Sequence, residues 1–573
     1  MTTSLRFLLA MVLMLGVLVG TNFLFPPIVP ETGVPADSVA PAPRPTVGPP
    51  GDASPVIPAA PGGAPAAPAA ADVPAEELVT VESPLYRLQF SSYGARLLSA
   101  ELPQFRALNE DGVVDLVPSG SAGYLSQKLV LGSDTVDLSR APFQVEPAGD
   151  LTLVEGGQPE SLRFVYQHPT SPLRVETEYT FDPSLYVVRV EGRVDGVDRP
   201  LLLTDLGEGL AFAEADSSNE ARMMAYVYNH VDEGISAVPL LRTTPTIVQG
   251  PLIWAALKNK FFVLALLAGA SDETATGSDY LGGLVVSPGT LPERVSVGAA
   301  QSIGTDGAFA HRLVLGPQDH ASLASLGQGL EEVNPYGGRI FRPIVRPFVS
   351  IILAILVFLH TNLGIGYGWV LVLFGLLMRV VLFPLNHRAM KAQVRNMEFQ
   401  PRLADAQRKY KDNPQKMQEE VRKLYKEGFN PLAGCLPLLL PWPILIALFF
   451  VFQNTIELRG VPFLWLPDLS TKDPFYVLPM ALAASMFLMM WLTMKSVEQP
   501  NAQMQMQSKM MMWIMPPVML IIFLNLASGL NLYYLVSNLA TIPQQMWITE
   551  QRKKLRAQGA AKAPAPSTTK SKG

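Results

Sequence analysis

The chain has 573 residues, 49% of them hydrophobic and 16% charged, with a formal net charge of −5, a composition that fits a membrane protein carrying one soluble domain. Its single cysteine, Cys435, excludes an intramolecular disulfide. Residues 72–335 hold 16 Lys/Arg against 35 Asp/Glu (net −19) and residues 336–573 hold 26 against 11 (net +15), so the two halves suit different compartments.

Residues 1–25 open with Arg6 and an apolar stretch from Phe7 to Phe25. The stretch is longer than a typical signal-peptide core and no clean Ala-x-Ala site follows it, so it reads as a retained transmembrane anchor rather than a cleaved peptide. Residues 26–75 form a Pro/Ala/Gly tract without the apolar side chains that offset ordering entropy, an extended linker.

Over 76–335 the pattern becomes short alternating segments broken by Gly, Pro, Asn and Asp. Ser161–Tyr166 (SLRFVY), Arg174–Phe181 (RVETEYTF) and Val187–Val194 (VVRVEGRV) alternate with period two, as strands with one buried face do. Closely spaced turn signals predict an antiparallel all-β sandwich. His168, His230, His311 and His320 lack metal-ligand spacing, and the chain contains no HExxH, GxSxG or Walker phosphate loop. No catalytic residue, metal, cofactor or nucleotide is expected, and the many acids read as a solvated surface rather than a glycosidase carboxylate pair.

Residues 336–363 carry an apolar piece, Phe348 to Leu359, which at twelve residues is short for a span and reads as an interfacial helix. Residues 364–385 (GIGYGWVLVLFGLLMRVVLFPL) are long enough to cross ~30 Å of hydrocarbon at ~1.5 Å per residue. Arg379 lies inside this span. A charge at membrane depth is costly and normally faces protein or water, marking a working site. It lies roughly 10 Å from the interface at Asn386, however, so snorkelling to the headgroups competes with that reading.

Residues 386–430 are polar and helical in period, with apolar stripes Leu403–Ala406–Tyr410 and Met417–Val421–Leu424 flanking a turn at Lys411-Asp-Asn-Pro414. They predict an antiparallel helical hairpin. Residues 431–548 contain four further spans: Cys435–Phe452, Phe475–Met494, Met510–Leu526 and Leu530–Trp547. The last two are joined by a tight turn at Ala527-Ser-Gly529. Cys435, with no histidine near it in sequence, reads as a small buried hydrophobe. Residues 549–573 are a basic tail.

Six spans result, the anchor plus a five-helix core. The basic hairpin and tail assign both termini to the cytoplasm, and span counting sends the acidic β domain to the periplasm. Polar side chains occur within or beside several spans: Gln453, Asn525, Asn531, Tyr533, Tyr534, Ser537 and Asn538. With Arg379 they suggest a hydrated pocket open to the cytoplasm. For the two tyrosines an interfacial-belt role competes.

Asn430–Pro437 (NPLAGCLP), Met378–Pro384 (MRVVLFP), Ser528–Asn538 (SGLNLYYLVSN) and Leu458–Phe463 (LRGVPF) with Asp468-Leu-Ser resemble the YidC-type membrane protein insertases of Gram-negative bacteria. The order of anchor, linker, β domain, interfacial helix, five-span core and basic tail is similar throughout. The resemblance implies an energy-free insertase that inserts and helps fold inner-membrane proteins, alone or beside the Sec translocon. It maps the family's groove arginine onto Arg379 and a groove tyrosine onto Tyr534. It places contacts with sliding substrate segments at Trp442, Pro443, Val518 and Ile522. It further implies nascent inner-membrane proteins, ribosomes, the Sec translocon and membrane lipids as partners. Gly375 stands where relatives can carry a hydroxyl residue, and Pro441 and Asn525 also depart from the family pattern. Channel or transporter function is disfavoured by the lack of an internal repeat. A membrane-anchored periplasmic carbohydrate-binding or -processing protein is the alternative reading, but a simple anchor needs neither five core spans nor Arg379.

Overall fold

The computed structural model describes residues 75–132, 134–198, 200–241, 243–269, 280–289, 295–336, 342–410, 413–427, 442–496 and 502–562. The anchor, nearly all of the linker, the Asn430–Pro437 motif, Pro441 and the end of the tail lie outside the described residues. All described residues belong to one compact unit, 72–573.

The β domain consists of a five-stranded and a fourteen-stranded sheet. The sequence alternation appears directly in the strand Arg174–Phe181, where Val175, Thr177, Tyr179 and Phe181 are buried and the intervening residues are not. The two sheets meet at Phe90, whose ring lies 5.1 Å from Tyr179 and 5.9 Å from Phe164. Among the described residues all strand pairings are antiparallel except one, in which Val81 lies opposite Leu151.

The strand Phe262–Ala268 (FVLALLA) does not alternate, because both of its faces are covered. Phe262, Leu264, Leu266 and Ala268 join the main core. Val263, Ala265 and Leu267 join a second core with Trp254, closed by helix α2 (His320–Ser325) and the 3-10 turn Leu330–Val333. One earlier helix, α1 (Ser217–Met223), is capped by Asp216.

The helical region begins with α3 (Arg342–Leu363), whose Val345, Val349, Ile352, Leu353 and Leu356 form one buried stripe. At 22 residues it is nearly twice the apolar piece apparent in the sequence, and it is long and apolar enough to cross a membrane by length and composition. The extension arises because its first turns serve the junction with the β domain: Arg346 pairs with Glu331 at 2.9 Å and also with Glu332. Gly364, at φ 62°, ends the helix in the left-handed region.

Helix α4 (Tyr367–Lys409) runs 43 residues, continuing through Pro384 where the sequence placed the end of a span. The hairpin turn follows at the expected place. Asn413 caps α5 (Pro414–Lys426) by accepting from the Lys416 N–H, and Arg402 reaches Glu427 across the hairpin at 3.3 Å. Then come α6 (Trp442–Asn454), α7 (Val477–Ser496), α8 (Ala502–Phe523) and α9 (Ser528–Lys562). Among the described residues two helical stretches pass the length and hydropathy test for crossing, Arg342–Leu363 and Tyr367–Pro384; Ile444–Asn454, Val477–Leu492 and Lys509–Phe523 are shorter apolar stretches. Helix α9 packs on α4 and α7, α3 on α6, and α8 on α7.

Candidate functional site

Helix α4 buries Val370, Leu371 and Phe374, while Trp369, Leu373, Leu376, Leu377, Val380 and Val381 remain exposed. So wide an apolar surface without a protein partner suits lipid. Arg379 is half-buried, and its Nε is sealed from solvent with no hydrogen-bond partner. Among the described residues no carboxylate pairs with it.

The facing element is the first half of α9. Tyr533 is the phenol that interacts electrostatically with Arg379, and its hydroxyl lies beside Ser537 one turn along. Its ring is held by Phe374 of α4 at 5.7 Å and Phe452 of α6 at 5.9 Å. Gly375 permits the close approach of the two helices: a Cβ there would stand 3.2 Å from Val536 and 3.6 Å from Tyr533.

The other expected groove residues surround this contact in different ways. Tyr534 is half-buried and packs edge-on against Phe523 of α8 at 5.3 Å. Asn538 donates to the Ser485 hydroxyl of α7 at 3.3 Å. Asn531 is fully buried; its Nδ2 donates to the Phe523 carbonyl at 3.0 Å, and its Oδ1 has no partner. Gln453 is buried in the last turn of α6. Asn525 is exposed in the turn between α8 and α9. Val518 and Ile522 are half-buried on α8, and Trp442 and Pro443 form the first turn of α6.

Sequence reasoning counted Tyr533 among the pocket's polar side chains but carried the family's groove tyrosine onto Tyr534, and it did not single out Ser485. The available signal was the i, i+4 spacing of Tyr533, Ser537 and Thr541, whose hydroxyl donates to the Ser537 carbonyl at 2.7 Å. As a chemical device the arrangement offers an unneutralised guanidinium beside two hydroxyls, between helices whose outer faces are apolar. It can attract an anionic or polar peptide group and supplies no nucleophile–base pair.

A β-rich domain joined to an apolar helical region of this kind defines an integral membrane protein with a large domain outside the bilayer. The 60Kd inner membrane protein family matches residues 358–555 and the YidC periplasmic domain family matches residues 78–351. The membrane protein insertase YidC of Chlorobaculum tepidum is 30% identical over 538 residues, 88% of each chain. That of Chlorobium limicola is 31% identical over 513 residues, 84% of each. A crystal structure of an active YidC insertase with its first transmembrane domain resolved is 19% identical, covers 82% of this chain and 92% of its own, and has a TM-score of 0.31. The chain belongs to the YidC family of membrane protein insertases, inner-membrane proteins with a periplasmic β-rich domain, and is not an enzyme.

Proposed function

We propose that this insertase works through a hydrophilic groove open to the cytoplasm, with Arg379 as its charge and Tyr533, Ser537, Asn538, Tyr534, Asn531, Gln453 and Asn525 as its polar surroundings. The observation that carries the reading is the half-buried Arg379 guanidinium, which no carboxylate among the described residues meets and whose Nε is sealed and unpartnered. A charge kept unpaired at such a place costs stability, which is consistent with a role in transient pairing rather than in folding. An acidic or polar segment of a nascent inner-membrane protein enters from the cytoplasm, pairs briefly with Arg379 and crosses a shortened hydrocarbon path. Its apolar segment slides along a wall containing Trp442, Pro443, Val518 and Ile522.

The six-span arrangement belongs to the same proposal, with both termini cytoplasmic and the β domain periplasmic. In it α3 lies along the outer face of the membrane. Supporting this, both ends of α3 are tied to outer structures: Arg346 to Glu331 of the β domain, and His360 stacked at 4.2 Å on Tyr367 at the start of α4. The cytoplasmic hairpin and basic tail recruit ribosomes and substrates, and part of the work proceeds beside the Sec translocon.

The test is insertion by the reconstituted full chain in proteoliposomes. A charge-assisted hydrogen bond contributes about 1.5–3 kcal/mol, so Arg379→Ala should slow insertion of clients with acidic translocated segments by about tenfold or more, and of neutral clients much less. Equal insertion by variant and wild type across several clients rejects the role.

A further inference from the structure

The loop between α6 and α7 docks on the β domain through the driest ion pair among the described residues. Arg459 Nε lies 2.6 Å from Glu214 Oε1, and the two side chains keep 5% and 3% of their exposure. The guanidinium also donates to the Arg106 and Ala213 carbonyls at 2.9 and 3.1 Å and stands 5.2 Å over the Phe262 ring. Beside it the buried Lys260 donates to the Ser470 carbonyl at 3.0 Å, and Ile456 enters the main β-domain core. The neighbouring Lys472–Asp216 pair, at 3.3 Å, is solvent-exposed and holds little.

The same loop caps α9. The Leu469 N–H donates to the Val461 carbonyl at 3.0 Å, which fixes the loop's far arm to the arm carrying Arg459. The Thr471 and Leu469 carbonyls then accept from the Ser528 and Gly529 N–H groups at 2.6 and 2.8 Å. The Ser528 hydroxyl donates to the Asp468 carbonyl at 3.0 Å. These are amides of a helix start, which have no partner within the helix. A Cβ at Gly529 would stand 3.1 Å from the Leu469 oxygen, so glycine permits the approach. Tyr533 lies about 6 Å further along the helix.

We propose that Glu214 and Arg459 form a latch through which the periplasmic domain sets the position of α9, making Arg459 a positioning residue for the helix that carries Tyr533 and Ser537. A buried ion pair matters chiefly because neither charge is left alone. Removing one partner strands the other in a dry junction, whereas replacing both by apolar groups is often neutral. Stranding the Arg459 guanidinium draws the loop towards water and withdraws the carbonyls of Leu469 and Thr471 from α9. The proposal takes insertion as a readout and does not require Arg379 to be the groove charge.

The test uses the full chain in lipid nanodiscs, with hydrogen exchange read peptide by peptide and insertion measured in parallel. Glu214→Ala should speed exchange at Ser528 and Gly529 at least tenfold and lower insertion several-fold, while the strand Phe262–Ala268 stays protected. The double variant Glu214→Ala/Arg459→Met should return both readouts to within about twofold of wild type. If Glu214→Ala fails to accumulate, Glu214→Gln takes its place in the same comparison. Wild-type exchange at Ser528 and Gly529, a double variant no better than the single one, or loss of protection in Phe262–Ala268 alongside α9 would each overturn the proposal.

Discussion

Two glycines on the packed face of α4 separate steric fit from helix propensity. Replacing an interior helical glycine by alanine gains about 0.5–1 kcal/mol, in full at Gly375 and in smaller part at Gly368, which lies in the first turn. At Gly375 the nearest atoms to a new Cβ are Val536 Cγ1 at 3.2 Å and Cβ at 3.5 Å, so a shift of a few tenths of an ångström suffices. At Gly368 the new atom would lie 2.0 Å from Phe463 Cδ2 and 2.8 Å from Phe463 Cβ. Because the clash reaches Cβ, rotating the ring does not relieve it. That ring is also locked against Trp369 at 5.3 Å. Overpacking of this kind costs about 1–3 kcal/mol. We therefore expect Gly375→Ala to lie within about 0.5 kcal/mol of wild type and Gly368→Ala to lose about 1–3 kcal/mol. Equilibrium unfolding of the full chain in mixed micelles measures both. A Gly368→Ala variant as stable as wild type, or a Gly375→Ala variant that loses more than about 1 kcal/mol, refutes the steric reasoning.

Two more outcomes can be checked on the same material. Burial and the hydrogen bond to Asp319 bring the Glu457 carboxyl up to about 7, so the folded chain holds a proton there that the unfolded chain releases above the ordinary carboxyl range. Stability from this group is present in acid and is lost as pH rises through about 7, so Glu457→Gln should flatten the decline in unfolding free energy between pH 5 and pH 8 by up to about 3 kcal/mol; superimposable pH profiles would exclude the raised carboxyl. Tyr533→Phe keeps the ring contacts with Phe374 and Phe452 but loses the hydroxyl beside Ser537. It should cost about 1 kcal/mol or less in stability while lowering insertion of polar-tailed clients a few-fold, and unchanged insertion would remove the hydroxyl from the groove.

What the sequence disclosed follows from how locally each feature is encoded. Arg174–Phe181 revealed its strand because one face is wet, and Asn413-Pro414 revealed a helix start because capping needs only neighbouring residues. Phe262–Ala268 was harder to read, since a strand covered on both faces loses the period-two signal. The continuation of α4 past Pro384 and the first turns of α3 were not legible locally, since the Arg346 pairs that hold the start of α3 join it to residues outside the helix. Arg379 was visible as a lone charge in an apolar run. Which of Tyr533 and Tyr534 lies beside Arg379 was not, because adjacent identical residues differ only in helical phase, and that phase is set by α4 and α6. The Glu214–Arg459 pair joins residues 245 apart, a separation that no pattern within a window reveals.

The unbroken course of α4 makes it a lever. Thirty residues separate Arg379 from Lys409, about 45 Å of continuous rod. A 10° tilt of this helix about Arg379 would therefore swing the hairpin end by about 8 Å, so a small rearrangement in the apolar region becomes a large displacement at the hairpin.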